Sequence, residues 1–474
     1  MSADVDVVVI GGGISGLVAA HRLIVAGRDV ILIEPGPLGG KIRTSMFAGR
    51  PLDEGADAFL VRVPWALELC RELQIDEELT SPATRTAYVW ADGALRQLPD
   101  GHVLGVPTDL AALGASGLIS RGGAARAAED LTRPADPEDP LTSGGDVAIG
   151  PYLRRRLGDE VVDRLVDPLV GGINAGDTST LSLAAVVPQL DAAARSGDPS
   201  IIRSCRHQLE AATTPPDAPV FAAPFGGMAR LVDGLVMAMP ALDIRQGARV
   251  VELDPGSAGR PTVVTMNDGT SVRTDGVIVA TPTFVAADLT RPFAPEAAEL
   301  LAGIDHASVA LVSLAVATAD VGRPLDGSGF LVPRDAGLTI TACSWATTKW
   351  AHLRDRDERI TLLRASVGRA GPDRVLDRDD AELVAAVVED LGRTMGLAGQ
   401  PMEARVSRWP CSFPQYAPGH LRRVDEIERL LADATTRVVL TGAGYRGLGV
   451  PACIRQASES AARFGGPAPR LPPP

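Results

Sequence analysis

Residues 5–35 read VDVVVIGGGISGLVAAHRLIVAGRDVILIEP, and this stretch decides the fold. Val5 to Ile10 read as a buried strand, apolar at every position but Asp6. Gly11, Gly13 and Gly16 follow in GxGxxG spacing, Leu17 to Leu23 continue at helical periodicity, and Val30 to Ile33 make a second strand closed by Glu34. Each glycine has a physical task. Gly11 allows the tight turn, Gly13 lets the backbone reach a pyrophosphate with no Cβ in the way, and Gly16 lets helix and strand pack closely. The helix N-terminus, at Ile14 and Ser15, turns free amides and a partial positive charge toward two phosphates. Glu34 is placed to accept both ribose hydroxyls and to repel a 2′-phosphate. Strand, glycine turn, helix, strand and acid in this order predict an adenine dinucleotide on a Rossmann-like unit, hence an α/β fold.

Composition bounds the rest. A chain of 474 residues is too long for one core and predicts two or three domains. A net charge of -13 argues against nucleic acid or an anionic bilayer as a whole-surface partner, so an anionic substrate must be met by local arginines. The five cysteines, Cys70, Cys205, Cys343, Cys411 and Cys453, are scattered without a CxxC pair, which suits a reducing compartment and offers no metal cage. The nucleotide unit starts almost at the first residue, and no apolar run reaches the roughly 20 residues that span a bilayer. These features predict a cytoplasmic protein.

Along the chain, Trp65 to Leu73 have helical periodicity, and AYVWADGALRQLP reads as a hairpin turning at Asp92-Gly93. From Pro107 to about Ala222 the pattern is helical, broken by polar loops. Strands return at ARVVELDP and PTVVTMNDGTSVRTDGVIVATP, then at SVALVSLAV, GFLVP and TITACSW. A helix from Asp379 to Met395, the strand and glycines of RVVLTGAGYRGLGVPACI, a last helix and the frayed tail GGPAPRLPPP complete the chain. The nucleotide fold is therefore expected from separated segments, 1–84, 222–295 and 405–474. An α+β substrate domain is expected from 85–106 and 296–404, with a helical insertion at 107–221.

Seven motifs stand in an order that resembles the flavin-dependent porphyrinogen oxidases: VVVIGGGISGL, GGKIRT (Gly39 to Thr44), DEGADAF (Asp53 to Phe59), PFGGMARLVDGL, DGVIVATP, RWPCSFPQYAPGH and TGAGYRGLGVPACI. The resemblance covers nearly the whole chain and is most specific in the last two motifs. It implies noncovalent FAD, and a helical insertion that touches the membrane peripherally in some members. In the family's pattern Gly40 and Lys41 lie beside the diphosphate and ribityl chain, Lys41 standing where many relatives have Arg. Gly55, Ala56 and Asp57 line the isoalloxazine edge, Val251 offers its backbone to adenine, and Gly449, Val450 and Ile454 open a helix aimed at the pyrimidine oxygen. Trp409 resembles a residue packed near the ring, a core tryptophan being the alternative.

Amine oxidases share the first motif, but they carry a lysine where this chain has Leu311, and aromatics for their cage are scarce at 4%. A hydrocarbon substrate would need none of the arginines near the expected site. The resemblance implies a porphyrinogen substrate, the coproporphyrinogen III oxidases of Gram-positive bacteria matching better than the protoporphyrinogen IX oxidases. The product would be a porphyrin for haem biosynthesis, with dioxygen as acceptor and hydrogen peroxide as by-product. A flavin amine oxidase, or a non-catalytic FAD scaffold partnering a ferrochelatase-like protein, is the alternative of a different class. Gly172 and Ile173, in LVGGINAGD, resemble a turn facing the macrocycle, and Leu331, Ile340 and Ala342 resemble its apolar walls. Arg62 and Arg85 are candidates for the propionates, with solvated arginines as the bland reading. Hydride transfer assisted by emerging conjugation needs no dedicated base, so no catalytic side chain is assigned, and no metal.

Overall fold

The computed structural model describes residues 4–134, 136, 139–141, 143–212, 218–354, 359–371 and 374–466. The chain divides into two units, residues 1–81, 219–305 and 421–474 in the first, 82–218 and 306–420 in the second.

In the first unit the strand Val5–Ile10 is the centre of a sheet. It lies parallel to Val30–Glu34 on one side and to Ser271–Val279 on the other, with Ile10 opposite both Ile33 and Val279. Asp243–Gln246 extends the sheet in parallel beyond Val30–Glu34. The long strand Ser271–Val279 forks. Its first half pairs antiparallel with Thr262–Met266, and its second half pairs parallel with Val438–Leu440. Strands buried from both sides explain why valine and isoleucine fill them without alternation. Val8, Val277 and Val279 share a core with Leu301, Val424 and Ile427. The helices Ile14–Val25 and Val450–Ala462 pack against each other, with Leu17, Ala20 and Ala457 fully buried. A Rossmann-like sheet assembled from distant segments is the expected α/β architecture.

The second unit carries a sheet in the order Glu403–Pro414, His306–Ala317, Ile360–Val367, Ile340–Trp345, Gly329–Leu331, Tyr88–Ala91 and Ala94–Gln97. Tyr88–Ala91 and Ala94–Gln97 form the expected hairpin, with Asp92 and Gly93 at φ 51° and 74°. Two positive φ values in a two-residue loop match the right-handed twist of the strands. Helix Asp380–Met395 begins at a capping box between Asp379 and Glu382 and covers one sheet face. Leu383, Val387 and Leu391 meet Val312, Leu314, Leu363 and Ala365 there.

Three boundaries differ from expectation. Residues 296–305, expected in the substrate domain, belong to the first unit, where Ala297, Ala298 and Leu301 of helix Pro295–Ala302 join the core. The segment 405–420 belongs to the second unit, because Glu403–Pro414 pairs with His306–Ala317 from Glu403 opposite Ala315 to Pro414 opposite His306. Pro410 and Pro414 hid this strand in the sequence, and they are tolerated because it lies at the sheet edge. The helices between 110 and 211 do not separate from the substrate sheet. Leu153, Leu165, Leu190 and Ile202 share a core with Val89 and Ala91 of the hairpin. Among the described residues no helix is long and apolar enough to cross a membrane. Residues 467–474 of the expected tail lie outside the described residues.

Candidate functional site

The glycines of the first turn divide by what surrounds them. A Cβ on Gly16 would stand 1.7 Å from the Gly11 carbonyl oxygen, and one on Gly11, at φ 108°, would stand 2.8 Å from the Ala280 oxygen. Both are required by packing. Gly13 is different: it precedes helix Ile14–Val25 with φ −72° and ψ 179°, and a Cβ there would meet nothing within 4 Å. No side chain caps this helix. Its amides therefore border open space at the point where the sequence places a pyrophosphate.

Glu34 ends its strand with its carboxylate turned back on the loop. Oε2 accepts from the Gly12 amide at 2.6 Å and Oε1 from the Gly36 amide at 2.7 Å. A carboxylate has about four acceptor positions, so these bonds leave room for ribose hydroxyls. Beside it, the Gly39 amide donates to the Gly12 carbonyl at 2.8 Å. Gly40, at φ 59°, comes so near that its Cβ would lie 3.2 Å from the Gly13 Cα. The following Lys41 is exposed by area, yet surrounding protein displaces water from its ammonium. The resulting loss of hydration lowers its ammonium below the usual lysine range, against an opposing effect of the Cys453 thiol.

Cys453 belongs to the first turn of helix Val450–Ala462, whose N-cap, Gly449, makes no side-chain cap. Burial pushes its thiol up, while a hydrogen bond with Ser15 and the charge of Lys41 pull the other way. Ser15, Lys41 and Cys453 thus bring the first helix, the glycine loop and the last helix to one place, which sequence separation concealed. Gly55, Ala56 and Asp57 are half-buried, and the Ala56 amide donates to the Lys41 carbonyl at 3.4 Å. Val450 is half-buried, whereas Ile454 is 1% exposed and belongs to the core. Val251 is the extra residue of a bulge between Val250 and Glu252, left out of the register with Thr262–Met266. Arg62 is exposed and has no side-chain partner among the described residues.

The second unit brings Gly172, Leu331 and Ala342 together. Leu331 faces Ala342 directly across paired strands, and a Cβ on Gly172 would lie 3.6 Å from Leu331 Cδ2. Ile173, next to Gly172, is 56% exposed. Ile340 does not share this wall. A bulge between Ile340 and Ala342 breaks the alternation of faces, and Ile340 is fully buried with Trp345 and Val367 under helix Asp380–Met395. Trp409 packs against Ala175, Ala307 and Val309. Arg85 is exposed and donates to the Ala218 carbonyl. Leu311 faces Ser366 and Ser407, so no lysine stands at that position.

Residues 14–464 match the model of the flavin containing amine oxidoreductase family. The chain belongs to that family. Among its relatives, coproporphyrinogen III oxidase of Bacillus subtilis (strain 168) is 34% identical over 95% of this chain and 96% of its own. Coproporphyrinogen III oxidase of Mycobacterium leprae (strain TN) is 35% identical over 95% and 96%. The crystal structure of a protein described as a protoporphyrinogen oxidase from Exiguobacterium sp. 255-15 superposes with TM-score 0.86 at 28% identity, covering 98% of this chain and 99% of that one. The resemblance drawn from the seven motifs is borne out by these matches.

FAD is the cofactor of this flavin oxidoreductase, and the cradle fits it. Gly13 opens where a diphosphate would pass, two long helices begin without side-chain caps, and Glu34 keeps acceptor capacity for a ribose. What the sequence did not reveal is the pair of amides held by Glu34 and the meeting of Ser15, Lys41 and Cys453. These depend on contacts between distant segments, and no motif signals them.

Proposed function

We propose that this protein oxidises coproporphyrinogen III to coproporphyrin III in haem biosynthesis, removing six electrons in three two-electron rounds. The observation that carries the reading is the likeness to coproporphyrinogen III oxidases along 95% of the chain. When bound, FAD supplies the acceptor for a hydride from a meso carbon, as a pyrrole nitrogen releases its proton and conjugation grows. Three rounds with three dioxygen molecules balance as one porphyrin and three molecules of hydrogen peroxide.

The chain's part is binding and placement. Gly11, Gly13 and Gly16 carry the turn under the diphosphate, Glu34 holds the ribose, and Gly40 with Lys41 flanks the phosphates. Gly55, Ala56, Asp57 and the start of helix Val450–Ala462 border the flavin. Gly172, Ile173, Leu331 and Ala342 give the macrocycle an apolar wall, and Arg62 meets a carboxylate. No residue is assigned as general base.

Anaerobic mixing with coproporphyrinogen III should bleach the bound flavin, and air should restore it with a rise of porphyrin fluorescence. Flavin that stays oxidised rejects the reading. Protoporphyrinogen IX is the second candidate, favoured by the 28% identity to protoporphyrinogen oxidase 1 of Arabidopsis thaliana. Aerobic rates on both porphyrinogens decide between them. Acid precipitation should release the colour, as noncovalent binding requires. The reading also places the reaction in the cytoplasm, with peripheral contact to a membrane and product hand-off to a ferrochelatase-like protein. Co-sedimentation with lipid vesicles tests the first, and binding to a purified ferrochelatase the second.

A further inference from the structure

Val162–Gly171 is a π-helix of 10 residues with Pro168 inside it. Such helices are rare, appear mostly as single wide turns, and are frequent at functional sites. This one runs into Gly172–Asn174 and stops at Ala175, whose φ of 46° lies in the left-handed region that a residue with a Cβ seldom adopts. The exit leaves Ile173, an apolar side chain, 56% exposed on a ledge beside Leu331.

The ledge is pinned from the wall it faces. Arg334 follows Leu331 by three positions and reaches Asp167, a residue of the π-helix itself, with Nε 3.2 Å from Oδ2. Asp167 is 6% exposed. Its Oδ1 accepts from both the amide and the hydroxyl of Thr178, at 3.1 and 2.8 Å. The same guanidinium donates to the Gly176 carbonyl, and Asp177 Oδ2 stands 3.9 Å from it. Gly176 in turn donates its amide to the Gly171 carbonyl at 2.9 Å. Arg334, Asp167 and Thr178 therefore brace both ends of the Gly171–Gly176 turn. The planar fork of arginine serves a carboxylate and a carbonyl at once, whereas a lysine ammonium is a point charge on a flexible stem.

We propose that Arg334 and Asp167 are positioning residues that hold the Gly172–Ile173 ledge against the Leu331–Ala342 wall, and so set the shape of the apolar surface on which a tetrapyrrole edge is gripped. The clamp sits outside the contact surface and acts through the ledge. What lies on that surface rests on the porphyrinogen reading.

The test uses full-length, FAD-loaded Arg334→Lys and Asp167→Asn, with Arg393→Ala as an exposed control. Hydrogen exchange of the amides at 171–176 should speed up by roughly tenfold in Arg334→Lys, as expected for a charge-assisted fork reduced to a point contact. The KM for coproporphyrinogen III should rise by roughly tenfold while kcat changes by less than about threefold, since a grip present in ground and transition states is uniform binding. Asp167→Asn, which keeps an acceptor for Thr178, should fall between wild type and Arg334→Lys. It replaces Arg334→Lys if that variant does not fold. Wild-type exchange in the variants overturns the clamp, and so does equal loss of kcat and thermal stability at constant KM. If the wild-type enzyme leaves coproporphyrinogen III untouched, the substrate reading fails and exchange alone decides the clamp.

Discussion

Replacing Gly13 by alanine separates a glycine kept for a ligand from one kept for folding. With φ −72° and ψ 179°, Gly13 has a backbone that alanine adopts without strain, and its Cβ would meet no protein atom within 4 Å. Two small effects on the cofactor-free protein oppose each other. Losing a glycine from the unfolded chain stabilises by about 0.4–1 kcal/mol. Alanine is a poorer N-cap than glycine by a similar amount, about 0.5–1 kcal/mol. The melting temperature of the flavin-free protein should therefore barely move. FAD is a different matter, because the new methyl would enter the space of the diphosphate. An overpacked contact costs about 1–3 kcal/mol, which is roughly 5- to 150-fold in Kd. Gly16→Ala should behave in the opposite way. Its Cβ would sit 1.7 Å from a backbone carbonyl that cannot move aside, so the fold itself should lose about 3 kcal/mol or more. Flavin fluorescence titration and thermal unfolding of both variants give the comparison. Gly13→Ala with wild-type affinity for FAD would refute the argument, since the open side of that glycine would then face no ligand.

Glu34→Ala should weaken FAD retention by about 1.5–3 kcal/mol, as a charge-assisted contact to the ribose disappears, with Glu34→Gln intermediate because it keeps one acceptor oxygen; unchanged retention of both on dilution means the ribose is held elsewhere. Lys41 yields a pH test: its pKa is depressed by lost hydration in the free protein, and an anionic diphosphate favours the protonated form. FAD affinity should accordingly be full at lower pH and fall as pH rises through that depressed pKa, and Lys41→Arg should hold affinity to higher pH; a flat profile removes Lys41 from the phosphate. Of the five cysteines only Cys411 is exposed, while burial pushes the Cys70 and Cys205 thiols up to about 12, so a thiol reagent should label one site quickly in the native protein and none in Cys411→Ser. Arg62→Ala should raise the KM for coproporphyrinogen, with four propionates, more than for protoporphyrinogen, with two, and less so at high salt as exposed charges are screened; wild-type constants for both substrates in the variant make Arg62 a solvated surface residue.

The first unit was legible because its chemistry is local. The run Val5–Ile10, the glycine spacing and Glu34 lie within one stretch, and each residue's type follows from its place in a βαβ unit. The hairpin at Asp92-Gly93 was legible for the same reason. The second unit was harder, because its elements are defined by partners far away in sequence. Glu403–Pro414 carries two prolines that argue against a strand, and only its edge position removes the objection. Pro168 argues for a helix end, yet the chain continues through it as a π-helix. No residue pattern in that segment distinguishes the two outcomes.

The site residues raise a sharper difficulty, since the wall of an apolar pocket and the wall of a core use the same side chains. Ile340 and Ala342 have the same spacing that puts two strand residues on one face, and a single bulge sends Ile340 into the core while Ala342 stays beside Leu331. Glycine escapes this degeneracy, because the structure shows what a Cβ would meet. Gly11, Gly16 and Gly39 would each strike a backbone atom, so folding accounts for them. Gly172 has helical dihedrals, φ −61° and ψ −45°, and its Cβ would lie at ordinary contact distance from Leu331. Alanine there would favour the helix by about 0.8–1 kcal/mol. Folding gives no reason for glycine at Gly172, and none at Gly13. One stands on the expected substrate wall and the other on the expected diphosphate turn, so at both positions an approaching ligand supplies the reason for glycine that packing does not.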